Sequence, residues 1–349
     1  MSAEKLRFNF EATGVGSVPF ADPEKACSKI LSLFKEIPFW PQLPKRTFLE
    51  NMYVQFAEGM PGIILDEKNK NIGIDKPRAL DGVEGLYQRY LDDDLEFFRI
   101  SKDRAAGLYA FLDAIKSRGR SYKFIKGHLT GPASMGLSLA GEDKIPLIYN
   151  AELSEALTKL LSMKARWQIR KMKEACGGVI IFIDEPYLVS IGSSFVNIDI
   201  EKTIGSINEV AHAIHKEDAL AGLHCCGNTD WGVILRSDID ILNFDAYNFM
   251  KQFTLYRADI KNFLGRGGTI AWGAVPTAAH DLEKNSIEDL IGQFKELLRP
   301  LEETAPEMSS LITPSCGVGT LAEGDAEKAL GFAAAISQLL KDKGLIDGR

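Results

Sequence analysis

Short runs of β-branched and aromatic residues alternate with long amphipathic stretches along the whole of this chain, the pattern of repeated strand–helix units built around a parallel sheet. Eight runs are predicted strands: residues 9–18, 37–43 (IPFWPQL), 122–130 (YKFIKGHLT), 178–186 (GVIIFIDEP), 219–226 (ALAGLHCC), 239–247 (IDILNFDAY), 268–275 (GTIAWGAV) and 311–317 (LITPSCG). Most are nearly continuous apolar runs, as strands covered on both faces should be. Between them, residues 151–175 and 285–302 repeat their apolar positions at spacings of three and four, which predicts helices.

This alternation predicts an α/β chain folded as one (β/α)8 TIM barrel domain spanning residues 1–349. The exception is 44–121, between the second and third strands, which holds KNKNIGIDKP and LDDDLEFFR and is expected to be an inserted excursion of loop and helices forming a lid or rim element. Its aromatic residues Tyr53, Phe56, Tyr87 and Tyr90 are spaced for ordinary helix packing, with a pocket lining as the alternative. There is no internal repeat and no low-complexity segment.

In such a barrel the C-terminal strand ends build the site. The chain's chemically capable residues fall there: Gly16 and Ser17 on the first strand, Thr130 on the third, Asp184 and Glu185 on the fourth, His224 and Cys226 on the fifth, Asp245 on the sixth and Cys316 on the eighth.

Alternate side chains of a strand share a face, so His224 and Cys226 point together while Cys225 points away. One imidazole and one thiolate directed at a point, completed by a distant cysteine, suit a zinc site with an open position. Cys316 is the expected third ligand and Asp245 a weak fourth. Gly227 and Gly317 follow two of the ligands and suit strand ends that turn sharply. The competing reading makes the two thiols and the histidine packing residues or a redox pair. His212 and His215 lie on a predicted helix face and His280 at a loop or helix start, none of them an expected ligand. His128 is expected either to contact a substrate or to be a satisfied core histidine.

Composition narrows the function. With 349 residues, 45% apolar and 26% charged, the chain has the make-up of an ordinary globular protein. A net charge of −7, with no block of lysine and arginine, argues against nucleic acid as a partner. The first residues contain no apolar signal segment, and no run is long enough to span a membrane, so the expected location is cytoplasmic. An odd number of cysteines, Cys27, Cys176, Cys225, Cys226 and Cys316, disfavours a disulfide framework and leaves metal binding or catalysis.

Taken in order, GVGSVP (14–19), KGHLTGP (126–132), FIDEP (182–186), LHCCGN (223–228), LNFD (242–245), WGAVPT (272–277) and PSCGVG (314–319) resemble the catalytic domain of cobalamin-independent methionine synthase. That domain shares a barrel superfamily with uroporphyrinogen decarboxylase and the corrinoid-dependent methyltransferases. The resemblance covers nearly the whole chain. It implies zinc held by His224, Cys226 and Cys316, with Asp245 in place of a glutamate ligand. It also implies that Asp184 holds the amino group of homocysteine, while Gly16 and Ser17 hold its carboxylate. Asp184 and Ser17 are thus the expected catalytic residues, and Glu185, Thr130 and His128 join them as expected substrate contacts.

The departures matter as much. Two family contacts to folate fall here on Ser190 and Ser138, and the register of an upstream homocysteine-binding glutamate falls on Arg46. The chain resembles the short, single-barrel relatives, some of which take methyl from a corrinoid, so the donor is expected to be a corrinoid or folate and a corrinoid protein is an expected partner. The expected reaction is methyl transfer to a small thiol, homocysteine first. Its rivals are another thiol such as coenzyme M, a uroporphyrinogen decarboxylase-like reaction, and a non-catalytic ligand-binding barrel. Coenzyme M is disfavoured because Asp184 would repel its sulfonate. The decarboxylase is disfavoured because residues 9–23 carry no arginine.

Overall fold

A computed structural model describes residues 7–119, 122–190, 198–302 and 308–343. Among the described residues, nine strands run β1 Asn9–Ala12, β2 Ile63–Asp66, β3 Asn71–Ile74, β4 Ile125–Thr130, β5 Val179–Asp184, β6 Leu220–Cys225, β7 Ile241–Phe244, β8 Thr269–Val275 and β9 Ser309–Pro314. Seven form one parallel sheet in the order β1-β9-β8-β7-β6-β5-β4, with helices between successive strands, the α/β TIM-barrel arrangement.

The gap between β4 and β1 is filled by residues 37–43. This segment makes isolated parallel bridges to both neighbours, Phe39 to Lys126 and Ser17 to Gln42. Lys126 donates its N–H to Pro38 O at 2.8 Å and Gln42 donates to Gly16 O at 3.1 Å. Pro38 and Pro41 have no N–H to give, so the expected second strand is a stave with bridges and not a continuous ladder. The first strand is also shorter than its apolar run. A register shift around Phe10, whose φ is 60°, interrupts it early.

Alternation along the strands separates two apolar layers. Phe8, Ile37, Ile180, Phe182, Ile241, Ala271 and Leu311 form a small cluster of their own inside the barrel. Residues of the other parity, among them Ile181, Ile183, Leu223, Leu242 and Ile312, belong to the large core beneath the helices. Gly222 is required in the inner layer, since a Cβ there would lie 2.3 Å from the Phe182 ring. Above this plug, the inward positions become polar: Asp184 on β5, His224 on β6, Asn243 on β7 and Thr313 on β9.

The region 44–121 holds more regular structure than expected. Strands β2 and β3 make an antiparallel hairpin, with Ile63 opposite Ile74. The helix Lys76–Leu91 packs against the helix Ala151–Lys173, and the helix Ala106–Arg118 packs against Pro23–Leu33 within the outer ring. Residues 120 and 121, at the end of this region, lie outside the described residues. Among the described residues no helix is long and apolar enough to cross a membrane.

Candidate metal centre

Strand β6 carries His224 inward and releases Cys226 just past its end, while Cys316 follows β9 on the far side of the barrel mouth. One donor atom from each of the three lies within 4.8 Å of the others. His224 is buried and both sulfurs are half-buried. Cys225 points the other way, fully buried, with its thiol directed at Gly227 O at 3.6 Å. The loop after Cys316 interlocks with the segment that follows β1. Val318 donates its N–H to Ser17 O at 2.9 Å, and Gly317 has no room for a Cβ, which would stand 2.2 Å from Ser17 Oγ.

The electrostatics of the three residues describe a site short of positive charge. The neighbouring Cys316 thiol, and after it the His224 imidazole, hold Cys226 down to about 4. Cys316 is pushed up by its contact with Cys226 and by burial. Two sulfurs this close cannot both ionise without a cation to offset them. Burial opposes protonation of His224, but Cys226 and Asp184 raise it overall. Its Nε2 is buried without a hydrogen-bond partner, while Nδ1 lies 2.6 Å from Asn243 Oδ1. One imidazole nitrogen and two sulfurs, one nitrogen left unused, fit a zinc ion by number and by donor type.

The other expected residues divide. Asp184 is buried beside this group, and burial raises it from 3.8 to about 6 against the pull of His224 and Lys126. Its Oδ1 has no partner. Ser17, half-buried, lies against the Cys316 loop, where Gly319 N–H reaches its Oγ at 3.4 Å. Gly16 sits against His128, since a Cβ at 16 would be 2.7 Å from the His128 Nδ1. His128 stacks on Trp40 at 3.9 Å between centroids, with neither ring nitrogen hydrogen-bonded, and burial holds it well below its ordinary value.

Three of the expected residues have other partners in this structure. Asp245 is not among the grouped donors His224, Cys226 and Cys316. Its oxygens accept the N–H and Nδ2 of Asn248 at 3.0 and 2.7 Å, which caps the helix Ala246–Phe253. Both oxygens of Glu185 accept backbone N–H groups, from Ala133 and Ser134. Thr130 spends its hydroxyl on Met52 O at 2.7 Å. Arg46, at the register of the family's upstream glutamate, is paired with the buried Glu50.

Three residues near the centre were not singled out from the sequence as site residues. Asn243 shares the inward parity of Asp245 two positions on, a buried amide in an apolar run. Lys126 is wholly buried beneath Asp184, donating to Val15 O with its ammonium 4.2 Å from the Phe182 centroid, and burial lowers it from 10.5 to about 7. A lysine inside a strand as apolar as YKFIKGHLT is the signal that could have found it. Tyr53, read as helix packing with a pocket lining as the alternative, is raised by burial and by Tyr187, Glu185, Cys226 and Asp184. Its ring lies 6.4 Å from that of Tyr187.

The sequence matches no protein-family model and no curated protein. Solved structures do match. The provisionally assigned vitamin-B12-independent methionine synthase of Listeria monocytogenes is 14% identical over 96% of this chain and 99% of that chain, with a TM-score of 0.58. A B12-independent methionine synthase from Shewanella sp. W3-18-1, in complex with selenomethionine, is 19% identical over 67% of each chain, with a TM-score of 0.47. The GH5_18 protein of Streptomyces cattleya, in complex with GlcNAc, is 13% identical over 98% of this chain and 83% of that chain, with a TM-score of 0.49. At 14% identity and a TM-score of 0.58, what the chain shares with the Listeria structure is the fold.

Proposed function

We propose that this chain is a zinc-dependent methyltransferase whose acceptor is a small amino-bearing thiol, homocysteine before others, and whose donor is a corrinoid in preference to folate. The observation that carries this reading is the convergence of His224, Cys226 and Cys316 within 4.8 Å at a barrel mouth that Asp184 also faces. Bound there, zinc would keep an acceptor thiol deprotonated at neutral pH.

The protein's own groups account for the rest. Two thiolates and a neutral imidazole offset the charge of a divalent ion and favour sulfur chemistry over water activation, which three neutral histidines promote. Asp184, with one oxygen unpartnered, is available to an ammonium group, whose charge would draw the carboxylate back below 6. Ser17 offers a hydroxyl on the adjoining side, suited to a carboxylate. Holding acceptor and donor in line is worth several kcal/mol of the barrier in such a transfer, on the order of 7 where alignment is good.

A corrinoid donor is favoured because the two positions that hold folate in the resembled family are serines. Ser138 also turns its hydroxyl to Met135 O at 2.9 Å. A corrinoid protein would then present the methyl group at the mouth, where Tyr187 and Val189 are 38% and 45% exposed.

The test is metal analysis of the purified chain followed by methyl transfer from methylcobalamin to homocysteine and to coenzyme M. One zinc per chain and turnover with homocysteine are expected. Absence of bound zinc after reconstitution, or turnover with coenzyme M alone, would overturn the reading or its acceptor respectively.

A further inference from the structure

Asn243 is fully buried on β7, at the register position paired with His224 on β6. Its neighbours fix which way the carboxamide points. The Nδ2 group donates to Ala271 O at 2.8 Å and to Thr313 Oγ1 at 2.8 Å. Turned over, the amide would set Oδ1 against the Ala271 carbonyl, acceptor against acceptor, and Nδ2 against the imidazole. The observed orientation is therefore the one that satisfies every atom, and Oδ1 faces His224 Nδ1 at 2.6 Å.

An amide oxygen only accepts. A neutral His224 must then carry its proton on Nδ1, which leaves the lone pair on Nε2, the buried nitrogen without a partner. We propose that Asn243 is a positioning residue for the metal centre: braced by Ala271 and Thr313, it sets the tautomer and ring plane of His224 so that Nε2 is presented to a cation together with the sulfurs of Cys226 and Cys316. The inference rests on the zinc reading for its purpose, though not for the tautomer itself.

The choice of an amide has a chemical consequence. Asn243 holds the ring without adding charge, so the centre with two thiolates and a divalent ion stays near neutral. Among the described residues no titratable side chain is hydrogen-bonded to His224 Nδ1.

The experiment has two arms. In the first, 15N-resolved NMR of the metal-free chain, at a pH where His224 is neutral, reads its tautomer. The Nδ1–H form is expected, and the Nε2–H form in the wild-type chain would overturn the proposal whatever the metal result. In the second, competition with a chromogenic chelator measures zinc affinity. Asn243→Leu is expected to bind zinc roughly 10–100-fold more weakly with a mixed tautomer, as losing a partner of a ligating histidine typically does.

Asn243→Asp, which keeps an acceptor for Nδ1, is expected to restore the single tautomer. Equal zinc affinity and one tautomer in the leucine variant would also overturn the proposal. Thr313→Val, which removes one brace and leaves the amide in place, supplies an intermediate loss if the leucine variant does not fold. A wild-type chain that binds no zinc but shows the Nδ1–H tautomer would sink the metal reading and leave the orienting role standing.

Discussion

Glu185 Oε2 accepts the backbone N–H of Ser134 at 2.7 Å, holding the first turn of the helix Pro132–Ser138 from the neighbouring strand. Its other oxygen takes the N–H of Ala133, and Gly131 leaves room for it, since a Cβ at 131 would stand 2.2 Å from Oε1. The adjacent carboxylates of the DEP run thus serve opposite faces of the sheet, Asp184 the mouth and Glu185 the wall.

Replacing Glu185 by alanine strands two buried N–H groups. At roughly 1–3 kcal/mol each, the loss is about 3 kcal/mol of stability. The thermal midpoint should fall by several degrees while zinc binding in the folded protein stays unchanged. Lost zinc affinity with an unaltered melting curve would contradict this division of roles.

Asp245→Ala should keep one zinc per chain and cost about 1 kcal/mol through the lost helix cap. Cys226→Ser and Cys316→Ser should each abolish stoichiometric zinc. Elemental analysis of the three variants side by side decides it, and loss of metal in the aspartate variant would restore that residue as a ligand.

Lys126 gives a pH signature. Its folded value, lowered by burial from 10.5 to about 7, means that between those values the unfolded chain holds a proton the folded chain has shed. Stability therefore rises with pH across that window, and the cost of burying the ammonium is full below about 7. Lys126→Met should flatten the rise in denaturant titrations at pH 6, 8 and 10. It also removes a positive neighbour of Asp184, so the KM for an amino-bearing thiol should reach its low value only at higher pH.

His215 works in the opposite sense. The Asp240 carboxylate, 2.8 Å from Nε2, raises it, and the same oxygen accepts the N–H of Ala221 at the start of β6. The stabilisation is complete below the unfolded value near 6.5 and is lost as pH rises through the raised folded value. His215→Gln should therefore lower the melting temperature more at pH 5.5 than at pH 8.5, and an equal drop at both would count against it.

The strands of the parallel sheet were legible because burial on both faces writes them as unbroken apolar runs, as in VIIFID. The pairing of His224 with Cys226 followed from the period of two, and Cys316 from its place after the last such run. What stayed hidden depended on contacts between distant segments. The hairpin β2–β3 has exposed and half-buried residues, with Ile74 alone buried, and little apolar contrast. Asp245 looked like a strand end carrying a ligand, although an aspartate three residues before an asparagine at a helix start also reads as a cap. Asn243 was invisible as a partner because nothing in ILNFD says which side chain stands opposite on β6.

The stave at 37–43 leaves the barrel wall with one weakly stitched seam. Its described backbone bonds to β4 and to the first strand number four: Trp40 to Lys126, Lys126 to Pro38, Val18 to Gln42 and Gln42 to Gly16. Amide protons at Trp40 and Gln42 should exchange with solvent sooner than those of β5 or β6. The wall beside Gly16 and Ser17 is then where the cylinder can breathe, letting one side of the mouth yield while the opposite rim stays rigid.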